Sequence, residues 1–165
     1  MELANLLSTQ TCGLRRLNLS NNRIGEIGIV ALGKALSNNQ GNNQILNTLL
    51  LNMNGIADDA GVQFFADLLS NTTLEVLDLS ANQLGVKTLQ AISQLVVHNV
   101  TTGLKKLFLN CTTFNANSKQ PQKAETLGKM LYEAVSINKH IINIDLRSTD
   151  IAKEFSDNIH GICKE

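Results

Sequence analysis

Cys111, set between Asn110 and Thr112, is the residue of this 165-residue sequence most suited to nucleophilic chemistry. A thiol of that kind needs a base within hydrogen-bond reach. Three histidines, His98, His140 and His160, could relay protons or bind a metal, and the adjacent carboxylates Asp58 and Asp59 could hold a cation. Spacing argues against each. No histidine has a Cys or second His at metal-ligand spacing. No P-loop, G-x-S-x-G, H-E-x-x-H or paired C-x-x-C occurs. Asp58 and Asp59 open an apolar helical pattern, where carboxylates complement the positive end of the helix dipole. The sequence therefore predicts no catalytic residue, no cofactor and no metal site.

The 14 basic and 14 acidic residues cancel, which argues against a nucleic-acid or anionic-membrane binder. Three cysteines, no apolar run after Met1 and no stretch of 18 apolar residues exclude a disulfide scaffold, a secretory signal and a membrane span. A soluble, cytoplasmic protein is expected. The N-x-S/T sequons at Asn18, Asn71, Asn99 and Asn110 then read as accidents of Asn-rich turn chemistry.

What must position any functional side chain is a repeat, signalled by 26 Leu and 20 Asn. The pattern LxxLxLxxN runs from Leu14 through Leu17 and Leu19 to Asn22. It returns at Leu46, Leu49, Leu51 and Asn54, and at Leu74, Leu77, Leu79 and Asn82. A fourth copy, Leu104, Leu107 and Leu109, ends in Thr112, and a fifth, Ile141, Ile144 and Leu146, ends in Thr149. Each continues with an apolar residue two positions on (Ile24, Ile56, Leu84, Phe114, Ile151) and then with apolar residues at helical spacing. Alternation turns Leu17 and Leu19 inward and Arg16, Asn18 and Ser20 outward. The closing Asn can bond turn backbone that no ladder satisfies, and Thr at 112 and 149 predicts a weaker ladder towards the C-terminus. The uneven spacing places insertions at 37–44 and 115–122, with Pro121 just ahead of a helix.

This pattern resembles ribonuclease-inhibitor-type leucine-rich repeats over essentially the whole chain. The resemblance implies an α/β solenoid of about five repeats, a curved parallel β-sheet on the concave face and helices on the convex one. One domain, 1–165, is expected: a helical half-repeat at 1–13, repeats at 14–45, 46–73, 74–103 and 104–140, and a C-terminal repeat at 141–165. Leu3, Leu6 and Leu7 form the first helix's apolar stripe, and Phe155, Ile159 and Ile162 a closing helix. Both caps look thin, which suits a piece of a longer protein or ends covered by a partner.

Solenoids bind through the strand-lined face. Its candidate residues are Arg16, Asn18, Leu50, Met53, Val76, Asp78, Lys106, Phe108, Asn110, Asp145 and Arg147. Asn18, Leu50, Asp78, Phe108 and Asp145 should form one row, with two large apolar side chains flanking an acid. Exposed Leu50, Met53, Val76 and Phe108 would form an interface. Mixed charge on this face calls for an electrostatically patterned partner. The helix side, carrying Lys34, Asp67, Lys87, Lys129 and Glu133, reads as solvated surface.

The resemblance implies a non-enzymatic scaffold that binds another protein, in many cases covering an enzyme's active site. The expected state is a monomer, or a heterodimer with that partner; nucleic acid and membrane are not expected. Leucine-rich effectors delivered by bacterial pathogens into a host cytosol share this repeat type, and the Asn-rich composition suits such a source. The alternative is the substrate-targeting fragment of a larger enzyme such as a ubiquitin ligase.

Overall fold

The computed structural model describes residues 2–9, 12–37, 45–98, 103–114, 121–138 and 140–163. Five three-residue strands alternate with helices: α1 (Glu2–Leu7), β1 (Arg16–Asn18), α2 (Gly25–Leu36), β2 (Thr48–Leu50), α3 (Asp58–Leu68), β3 (Val76–Asp78), α4 (Val86–His98), β4 (Lys106–Phe108), α5 (Pro121–Ile137), β5 (Asn143–Asp145) and α6 (Lys153–Ile162). The strands form one parallel sheet in sequence order, and consecutive helices pack side by side. The fold is the α/β repeat architecture that the LxxLxLxxN spacing implies.

Register follows the pattern. The central residues Leu17, Leu49, Leu77, Leu107 and Ile144 align strand to strand. Leu49, Leu77 and Leu107 are fully buried, as are Leu51, Leu79 and Leu109 two positions on. Each such side chain contributes about 1.5–3 kcal/mol of burial. Ile56, Leu84 and Phe114 close the core at the turn, and Ile29, Leu36, Phe64, Leu89, Ile92, Leu131 and Val135 close it from the helices.

The first repeat departs from expectation. Leu17 and Leu19 are only partly buried, because β1 is the sheet's edge and no strand covers its outer side among the described residues. Leu7 alone of the expected α1 stripe is buried, and Leu6 is exposed. At the other end α6 packs against both α5 and β5. Its Phe155 lies against Gly128, where a Cβ would approach the ring to 2.6 Å, and against Tyr132 with ring centroids 6.4 Å apart. The expected insertions lie largely outside the described residues.

Candidate protein-binding face

Each strand leaves the sheet through a residue in the left-handed region: Asn21, Met53, Ala81, Cys111 and Ser148, with φ between 53° and 58°. This turn aims the next polar residue back into the stack. Asn54 donates through Nδ2 to the Leu19 and Leu51 carbonyls, both at 2.9 Å, and accepts the Asn22 and Ile24 N–H groups at 3.1 Å. Asn82 repeats the pattern one unit on, accepting Asn54 N–H at 2.9 Å and Ile56 N–H at 3.1 Å. The ladder then breaks: the buried Thr112 hydroxyl has no hydrogen-bond partner among the described residues. Thr149 reaches only its own repeat, donating to the Leu146 carbonyl. Its neighbour Asp150 takes up the acceptor's part, receiving Phe114 N–H at 2.7 Å.

Met53, expected among the strand residues, therefore stands on the rim turn, 54% exposed. Cys111 shares that rim, exposed, with Asn110 Nδ2 4.0 Å from its sulfur. Among the described residues no three His, Cys, Asp or Glu side chains converge on a common point.

The sheet brings two outward rows together. Arg16, Thr48, Val76, Lys106 and Asn143 form the first, and Asn18, Leu50, Asp78, Phe108 and Asp145 the second. The second alternates by repeat. In the odd repeats a short polar side chain folds back onto its own turn: Asn18 Oδ1 accepts Ser20 N–H at 3.0 Å, Asp78 Oδ1 accepts Ser80 N–H at 2.9 Å, and Asp145 Oδ1 accepts Arg147 N–H at 3.1 Å. In the even repeats the same place holds Leu50 and Phe108, which have no such bond to make. Both are half-buried, as is Val76, rather than fully exposed. Asn110 is tied to the neighbouring strand by the Ser80 hydroxyl at 2.7 Å.

Asp145 is a correction. It is 9% exposed and locked to Arg147, whose Nε and Nη2 reach its two oxygens at 2.6–3.1 Å. The Arg147 guanidinium holds that carboxyl below its ordinary value against the opposing effect of burial. Arg147 thus presents to solvent while Asp145 offers no free oxygen. Phe108, Asn143, Asp145 and Arg147 line a cleft of about 350 Å³ with Ser156 and His160 of α6.

The helix side is not uniformly solvated. Between α4 and α5 a groove of about 610 Å³ is lined by Val97, Met130, Ala134 and Ile137 together with Gln90, Gln94 and Glu133. Ile137 is 68% exposed, and the most exposed large apolar side chain among the described residues, Ile27 at 80%, also lies on a helix. Sequence reasoning missed this groove because Val97 and Ile137 extend apolar periodicity to helix ends, where it resembles core.

It missed a second asparagine ladder as well. Buried Asn71 donates to the Leu36 carbonyl at 2.7 Å and accepts Thr73 and Leu74 N–H groups. Asn138 does the same with the Val96 carbonyl at 2.6 Å and with His140 and Ile141 N–H groups. The available signal was an Asn three residues ahead of the first core position of a repeat.

A family model described as Leucine Rich repeat matches residues 13–33 and 70–93. This is a leucine-rich-repeat fold. Among curated proteins, the mouse NACHT, LRR and PYD domains-containing protein 5 is 32% identical over 109 residues, which make up 66% of this chain and 9% of that protein. The chain thus spans under a tenth of the relative's length. Among solved structures, the leucine-rich-repeat fold here is similar to the tropomodulin C-terminal domain of Caenorhabditis elegans, with a TM-score of 0.75 and 14% identity, covering 99% of this chain and 90% of that one. It is equally similar to leiomodin-1 actin-binding site 2, with a TM-score of 0.75 and 14% identity over 98% of this chain and 87% of that one. Leucine-rich-repeat domains are in general protein-interaction modules. Among the described residues no helix is long and apolar enough to cross a membrane.

Proposed function

We propose that the strand-lined face recognises a partner protein through Leu50 and Phe108, and that covering the partner's surface inhibits or sequesters it. The observation that carries this reading is the alternation along the second row. Polar side chains turn back onto their own backbone in repeats one, three and five. The apolar side chains that stand between them, Leu50 and Phe108, have no internal bond to satisfy. Val76 adds apolar surface beside them, Met53 a flexible rim, and Arg16, Lys106 and Arg147 a polar border. Such a centre-and-rim arrangement is how interface anchors exclude water. This reading assigns no catalysis, cofactor or metal to the chain.

The leiomodin-1 domain is named as an actin-binding site, but 14% identity carries its fold to this chain and not its partner. Nor do the relatives found support a bacterial-effector origin. A second reading is the targeting segment of a larger enzyme such as a ubiquitin ligase; the curated relative, of which this chain spans 9%, is not named as an enzyme.

The test is affinity capture from native cytosol with Phe108→Asp as control, then calorimetric titration of the captured partner. Phe108→Ala and Leu50→Ala should each weaken binding by upwards of ~2 kcal/mol, and Lys87→Ala by well under ~1 kcal/mol. Loss of binding in Ile137→Asp, with both concave variants unaffected, would move the working surface to the α4–α5 groove.

A further inference from the structure

We infer that the partner meets this face with an amphipathic helix that places a Lys or Arg on Asp78, between two apolar side chains seven residues apart. The inference deepens the concave-face reading and rests on it.

The acids of the second row are not equivalent. Both oxygens of Asp145 are bound by Arg147. Asp78 has no cationic partner: the ion pairs among the described residues are Lys87–Asp59, Lys105–Glu75, Lys129–Glu133 and Arg147–Asp145. One oxygen of Asp78, Oδ1, is fixed by Ser80 N–H at 2.9 Å and by the Ser80 hydroxyl. That leaves Oδ2 oriented on a half-exposed side chain. A preoriented carboxylate with an open oxygen is the element of this row that a partner's cation complements.

Register fixes what surrounds it. Leu50 and Phe108 are its two cross-strand neighbours. They stand two strand spacings apart, roughly 10 Å. Seven residues of α-helix advance about 10.5 Å and return to the same face, and the residues at i+3 and i+4 project between the two ends. An extended segment does not fit: residues on one face of a strand recur at roughly 7 or 14 Å, and neither matches. The fitting occupant is therefore a helix lying across the strands, apolar at i and i+7 and basic at i+3 or i+4. Val76, two residues before Asp78 on the same strand, supplies apolar floor beneath it.

The experiment is a display selection of 14-residue helix-forming peptides on the full chain, run in parallel on Asp78→Asn, Leu50→Ala and Phe108→Ala. Asn keeps the acceptor for Ser80, so Asp78→Asn removes charge while preserving the turn. The wild-type chain should enrich Lys or Arg at i+3 or i+4 between apolar residues at i and i+7. The best such peptide should bind Asp78→Asn roughly tenfold more weakly, with a smaller salt dependence. Failure to enrich any peptide, enrichment without the cation, or equal affinity for Asp78→Asn overturns the inference. If the selected peptides lose affinity for Leu50→Ala and Phe108→Ala yet carry no cation, the face stands and only the helix-and-cation assignment falls. If those two variants bind every selected peptide like wild type, the concave-face reading falls with it.

Discussion

The Asp58 carboxylate, on the first turn of α3, accepts the Thr88 backbone N–H 2.7 Å away on the first turn of α4. One helix is thus capped by its predecessor. Asp58 also accepts Gly85 N–H at 3.0 Å, Lys87 N–H at 3.3 Å and the Thr88 hydroxyl at 2.8 Å, while Asp59 pairs with Lys87. The paired acids serve the neighbouring helix's positive end more than their own. Gly85 is required by this approach, since a Cβ there would lie 2.4 Å from the Asp58 carboxyl carbon.

A pH dependence follows. Partial burial alone would raise the Asp58 pKa, but the Thr88, Lys87 and Gly85 donors outweigh it and hold the value below 3.8. A depressed folded-state pKa contributes stability above the unfolded value that is lost as pH falls through the folded one. Asp58→Asn should therefore melt lower than wild type at pH 7, and the gap should close as pH falls below about 3.8. Thermal melts of both proteins across that range check it. Asp58→Ala, which loses the cap outright, should cost about 0.5–2 kcal/mol at neutral pH.

Burial grades the repeats. Leu77→Ala, at a fully buried central position with a strand on either side, should cost about 2–5 kcal/mol. Leu17→Ala, at the same register position on the edge strand, should cost clearly less, because Leu17 is only partly buried. Urea titrations of the two variants provide the comparison, and equal losses would contradict the edge assignment.

The sheet was legible because LxL places two core leucines at strand period, and the same register located every residue of both outward rows. Beyond the α4–α5 groove and the second asparagine ladder, three things were not legible. Whether a residue is covered by an adjacent repeat depends on which repeats are terminal, so Leu17 and Leu19 looked like core. Whether an outward acid is free depends on a rotamer, so Asp145 and Asp78 looked alike until Arg147 was seen to hold one of them. The residue after each strand-closing pair looked like an inner-face position. In fact its left-handed φ lifts Met53 and Cys111 to the rim, a conformation no side-chain type there announces, since Asn, Met, Ala, Cys and Ser all occupy it.

The three cysteines are free, and they differ in access: Cys111 is exposed, while Cys12 and Cys163 are buried. Burial also raises the Cys163 pKa, more than the Ile144 N–H lowers it, so its reactive thiolate is scarce. A maleimide-type reagent at pH 7 should modify Cys111 first and reach Cys12 and Cys163 only at the rate of unfolding. Mass spectrometry of partly labelled protein reads the order. The melting temperature should be the same with and without reductant.

The last prediction concerns the break in the turn ladder. Asn54 and Asn82 each receive two N–H groups from the preceding repeat. Thr112 occupies the next place, fully buried, with its hydroxyl unpaired. Thr112→Asn should extend the ladder by offering Asn82 N–H and Leu84 N–H the acceptor that the earlier repeats have. Two added hydrogen bonds are worth about 0.5–1.5 kcal/mol each, offset by the strain of a slightly larger side chain in a closed site. A net gain of about 1 kcal/mol, or ~2–4 °C in Tm for a chain of this size, is expected. The reverse change, Asn82→Thr, disrupts two accepted bonds and those donated to the Leu51, Leu79 and Ser80 carbonyls in a buried site and should cost about 2 kcal/mol or more. If calorimetry finds Thr112→Asn neutral or destabilising while Asn82→Thr is costly, the fourth turn differs in backbone shape and not merely in its side chain.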